Sequence, residues 1–169
     1  LKYKVLFKMK NRLIVRRWIL FFIVCLVISG ATAIPVESEL EFATRLIPPG
    51  TIVGDWLDKV YWSVIHQNRN YPFLAYGYDW LAFAHFMLAI LFIGPLKDPV
   101  RNKWVIEFGM IACLLVIPFA QIAGYLRGLP LWWRLVDCSF GLIGLIPLRI
   151  VLHKINLLEL TPQTGTDED

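Results

Sequence analysis

At 169 residues the chain has room for one domain, but it is 57% hydrophobic and only 18% charged, a balance too apolar for a soluble domain of that size to bury. A bilayer accepts apolar side chains on every face of a helix, so the composition excludes an ordinary soluble domain and calls for membrane-spanning helices. The net charge of +4 does not indicate a nucleic-acid partner: Lys2, Lys4, Lys8, Lys10, Arg12, Arg16 and Arg17 abut an apolar run with no recognition motif beside them.

Residues 1–17 read as a basic cytoplasmic N-terminus, and the run 18–36 as the first transmembrane helix, entering from the cytoplasm after Arg16 and Arg17. Its alternative is a signal peptide cut near residue 33, where Ala31, Thr32 and Ala33 form an A-x-A site after Gly30. Both readings put residue 37 outside. The segment 37–78 is then an outer stretch with breakers at Pro48, Pro49, Gly50 and Pro72. Within it Ile52, Val53, Trp56, Val60, Tyr61, Val64 and Ile65 recur at helical spacing, which predicts a short amphipathic helix over 52–65 lying at the membrane interface.

A three-helix transmembrane core is expected over 79–154. Its first helix closes at Gly94 and Pro95, ahead of Lys97, Asp98, Arg101 and Lys103. The next runs over 104–123, with a kink expected at Pro118. The last runs over 131–152, with Arg149, His153 and Lys154 at its inner end. Residues 155–169 form a polar cytoplasmic tail, disordered over its acidic end. The predicted fold is thus an all-α membrane protein of four transmembrane helices, with an interfacial helix between the first and second and both termini cytoplasmic. Cys25, Cys113 and Cys138 lack CxxC spacing and read as small buried hydrophobes.

Polar side chains inside apolar spans mark either a site or a structural pairing. The alternating topology brings His85, Gln121, Arg134 and Asp137 to about one level below the outer surface, a candidate polar cluster, with Asp79, Glu107 and Arg127 as secondary candidates. Each has a plainer reading. Arg134 and Asp137 neutralise each other three residues apart, Glu107 pairs with Lys103, and His85 and Gln121 hold helices together. Gly141 and Gly144 allow close helix approach. Neither a metal site nor a cofactor is expected, and GxSxG, HExxH, Walker and Rossmann motifs are absent.

Gln121, Asp137 and Gly144, with Arg134 or Arg127 as the arginine and His85 on an earlier helix, resemble the pattern of the VanZ-like family of small bacterial integral membrane proteins over about residues 79–144. Trp80 stands where that family has Lys, Pro118 where it has Glu, and Gly141 where it has Asn. The resemblance implies a bacterial inner-membrane location and a role in the cell envelope and antibiotic tolerance. The leading functional expectation is recognition of an envelope lipid or lipid-linked molecule through the polar cluster. The alternative is a non-enzymatic assembly or accessory subunit with a membrane-protein partner; a hydrolase or transferase using His85 and Asp137 ranks last.

Overall fold

The computed structural model describes residues 2–160, and among them it is helical with no strand. Seven α-helices follow in order: α1 (Lys2–Thr32), α2 (Val36–Leu46), α3 (Ile52–Asn70), α4 (Tyr76–Leu91), α5 (Ile93–Lys97), α6 (Lys103–Leu126) and α7 (Leu131–Glu159). A 3₁₀ turn, Pro72–Ala75, leads into α4. Four helical segments are long and apolar enough to cross a membrane: Leu6–Thr32, Pro72–Lys97, Lys103–Leu126 and Leu131–Glu159. Their exposed side chains are dominated by Leu, Ile, Val and Phe, the surface a hydrocarbon environment accepts. The chain is therefore a multi-pass membrane protein.

The helices differ from the expected bounds in four places. α1 starts well before Trp18, because Lys and Arg are good helix formers and do not interrupt it. Its basic first half carries a buried stripe of Asn11, Val15 and Ile19 at spacing four, so this stretch packs into the fold on one face. α7 continues to Glu159, burying Ile155 and Leu158, and the tail shrinks accordingly; residues 161–169 lie outside the described residues. α6 carries Pro118 within it and extends past the expected residue 123 to Leu126. Finally, the stretch between the first two apolar spans holds two helices, α2 and α3, where one was expected.

α3 covers the predicted 52–65 and extends it to Asn70, capped at its start by Thr51, whose hydroxyl accepts the Gly54 N–H at 3.0 Å. Its buried side is Gly54, Leu57, Val64 and Ile65, whereas Ile52 and Trp62 are exposed. α2 pairs with it as an antiparallel hairpin, tied at the far end where Asn68 Nδ2 donates to Glu37 Oε2 at 2.9 Å.

Two compact units divide the chain: residues up to Ile23 with those from Ile90 onward, and Val24–Ala89. In the first unit α6 and α7 form an antiparallel hairpin, as three contacts along it demonstrate. Lys103 Nζ meets Glu159 Oε2 at 2.9 Å, Gln121 meets Cys138, and Arg134 lies over Gly124. Phe22 packs against Phe92 with ring centroids 4.8 Å apart, and Val105, Ile106, Leu148, Val151 and Ile155 complete the core. In the second unit Gly30 sits against α4, where an added Cβ would be 3.0 Å from Ala82 O and His85 Cβ; lacking one, the two helices approach closely.

The buried Asn11 is a weak point in the first unit. It is 2% exposed, and its Nδ2 has no hydrogen-bond partner among the described residues. Leucine fills a similar volume without a donor to satisfy, so Asn11→Leu should raise the protein's thermal stability in detergent by about 1 kcal/mol. A lower melting temperature for that variant would mean that the amide is satisfied in the solubilised protein.

Candidate functional site

The polar residues of the first unit meet along the seam between α6 and α7. Gln121, one turn before the end of α6, reaches across so that its Nε2 donates to Cys138 Sγ at 3.2 Å. The Cys138 thiol in turn donates to the Ile117 carbonyl of α6 at 3.7 Å. Arg134, one turn earlier on α7, sends Nη1 to the Gln121 backbone oxygen at 3.4 Å. Its stem lies over Gly124, where a Cβ would stand 2.6 Å from Arg134 Cγ and Cδ. Its guanidinium is 5.9 Å from the Tyr125 ring centroid, within cation–π range. The sulfur is a weak acceptor and the arginine contact is long, so each bond is modest. Together they give α6 and α7 one register.

Asp137 stands apart from this network. It is half-buried on α7, yet it has neither an ion pair nor a hydrogen bond among the described residues. The expected pairing of Arg134 with Asp137 is not made, because the arginine is drawn to α6 by the space above Gly124. The expected pairing of Glu107 with Lys103 is not made either. Lys103 crosses to Glu159, and Glu107 is left exposed. Arg127 is exposed just beyond the end of α6.

His85 and Asp79 belong to the second unit, on α4. The His85 ring turns back on its own helix, with Nδ1 2.8 Å from the Leu81 carbonyl. A carbonyl only accepts, so Nδ1 carries the hydrogen and Nε2 is the ring nitrogen outside this bond. Asp79 is exposed beside Tyr76, Trp80 and Phe83, which line a shallow, open depression of about 230 Å³.

Of the four residues expected to cluster, then, only Gln121 and Arg134 are linked directly. Cys138 joins them, although its type suggested an inert hydrophobe; its place four residues after Arg134, on the same helical face, was the available signal. Cys25 lies exposed on α1, against expectation, while Cys138 is buried. The Ser139 hydroxyl donates to its own helix at Val136 O, 2.6 Å away. Among the described residues no three His, Cys, Asp or Glu side chains stand close enough to hold a metal ion. The seam's chemistry is that of helix attachment by hydrogen bonds and close packing.

Comparison with family models, with curated protein sequences and with solved structures found no match. Any functional reading rests on the site itself.

Proposed function

We propose that the chain is an assembly or accessory subunit of a membrane complex in the bacterial inner membrane, with both termini cytoplasmic and no catalysis of its own. Asp137 carries this reading. A carboxylate within an apolar span is costly unless it meets a cation or donor, and here Arg134 is engaged elsewhere while Asp137 has no partner among the described residues. A cationic or donor side chain from a neighbouring membrane protein would complete it. The orientation follows from Arg16 and Arg17, Lys97 and Arg101, and Arg149 and Lys154, which alternating helices place on one side. α3, joined to α4 through a single 3₁₀ turn, then lies at the outer interface.

Purification from native membranes in mild detergent tests the proposal. A stoichiometric partner should accompany the wild-type chain and be reduced at least about tenfold by Asp137→Asn, a loss of roughly 1.4 kcal/mol. Helical content should be unchanged, and Asp137→Glu should restore part of the association. A wild-type chain that emerges alone would overturn it.

A second reading, recognition of an envelope lipid or lipid-linked molecule, is favoured by His85, whose ring is held through Nδ1 to the Leu81 carbonyl, leaving Nε2 for a ligand. The VanZ-like pattern at Gln121, Asp137 and Gly144 points the same way. On this reading His85→Ala accumulates normally but sensitises cells to envelope stress. A normal phenotype at a normal protein level for both His85→Ala and Asp137→Ala would exclude it.

A further inference from the structure

We infer that, in the unit containing α6 and α7, the end where α6 begins and α7 finishes is a docking surface for anionic phospholipid headgroups of the adjoining leaflet. Three chain segments contribute to it. Lys103 and Glu159, joined at 2.9 Å, fix the start of α6 beside the end of α7. Phe22 packs on Phe92, just before α5, and the α1 residues N-terminal to it, Ile19, Val15 and Asn11, are buried at 0, 0 and 2% exposure. The basic half of α1 therefore packs into the same unit alongside that end.

The cations on these segments face outward. Arg12, Arg16 and Arg17 on α1, Lys97 and Arg101 around α5, and Arg149 on α7 are all exposed, and none has an ion pair among the described residues. Few acids oppose them. Glu159 is held by Lys103, Asp98 accepts the Arg101 backbone N–H at 3.2 Å, and Glu107 lies one turn into α6.

Depth selects lipid as the occupant. Counting about 20 residues from Leu131, the length that spans a hydrocarbon core of about 30 Å, reaches the neighbourhood of Arg149. On α1 the apolar run begins directly after Arg17. Both estimates put the cations at headgroup level, where a juxtamembrane lysine or arginine gains about 1 kcal/mol from an anionic leaflet. A soluble polyanion would have to compete with that surface for the same side chains. This inference does not depend on Asp137 or on any protein partner.

The test uses the full chain, purified in detergent and incubated with equal amounts of phosphatidylglycerol and phosphatidylcholine, with bound lipid counted by native mass spectrometry. Phosphatidylglycerol should be retained preferentially. The preference should fall about fivefold for each cation neutralised as Arg12→Gln, Arg16→Gln and Arg101→Gln are combined. The corresponding Arg→Lys triple variant should keep it, which separates charge from folding, and Arg69→Gln on α3 should not alter it. Equal retention of the two lipids by the wild type, or full preference in the folded Gln triple variant, would overturn the inference. Binding of a single-stranded oligonucleotide without any phosphatidylglycerol preference would do the same, assigning the cations to a soluble polyanion.

Discussion

Replacing Gly141 with alanine should destabilise the protein by about 2–3 kcal/mol, a large effect for the addition of one methyl group to the α6–α7 hairpin. The reason lies in what the new methyl group meets. At Gly141 a Cβ would collide with the Cys113 carbonyl oxygen, a backbone atom of α6 that cannot rotate aside. At Gly124 the obstruction is the flexible stem of Arg134, and at Gly144 it is the Cys113 thiol at 2.9 Å, both of which have room to adjust. Gly124→Ala and Gly144→Ala should therefore be milder. Within a bilayer lipid tails are as apolar as the side chains, so close packing and interhelical hydrogen bonds provide the attraction between helices. Separating α6 from α7 at Gly141 also strains the Gln121 to Cys138 bond, because Cys138 lies one turn away on the same face. Leu142→Ala, at an exposed position on the same helix, is the control and should fall within about 0.5 kcal/mol of wild type. Thermal unfolding in micelles reads both; equal stability of Gly141→Ala and wild type would show that the helices tolerate a wider separation.

The spans were legible because a long apolar run has few other uses, and their positions held even where their ends moved. Partner choice among polar residues was less legible. Lys103 and Glu107 have helical spacing, but the lysine comes first, the weaker order for an i, i+4 pair, and Glu159 approaches from α7 instead. Arg134 similarly bypasses Asp137 because Gly124 leaves a place for its stem, a cavity created by an absent side chain and invisible to spacing. The early start of α1 was readable in principle, since Asn11, Val15 and Ile19 recur at spacing four. The density of cations around them suggested a solvated flank, and a helix that buries one face while presenting charge on others satisfies both signals. Asp137 was identified as a candidate by its residue type and depth, and its lack of a partner depends on where Arg134 goes.

α2 was the element least visible in the sequence, and Gly54→Ala should test what holds it. Three glutamates fall within its first six residues, Glu37, Glu39 and Glu41, which reads as a solvated loop; yet Val36, Leu40 and Ala43 form an i, i+4, i+7 stripe between Pro35 and Pro48. The chain then turns at Gly50, whose φ of 110° favours glycine and whose N–H donates to Asp55 Oδ1 at 2.8 Å. That turn brings the Pro48 carbonyl directly over Gly54, where a Cβ would collide with it. Alanine at Gly54 must displace the turn or the start of α3, at a cost of about 2 kcal/mol, well above the roughly 1 kcal/mol expected for removing the Thr51 cap as Thr51→Ala. Because α2 is anchored at its other end by the Asn68 to Glu37 bond, the loss should appear as local opening. Hydrogen exchange over Val36–Leu46 should accelerate about 30-fold in Gly54→Ala, the factor that 2 kcal/mol implies. Exchange in α6 and α7 should stay at its wild-type rate. Unchanged protection of α2 in the variant would mean that the turn absorbs the methyl group and that the hairpin is held elsewhere.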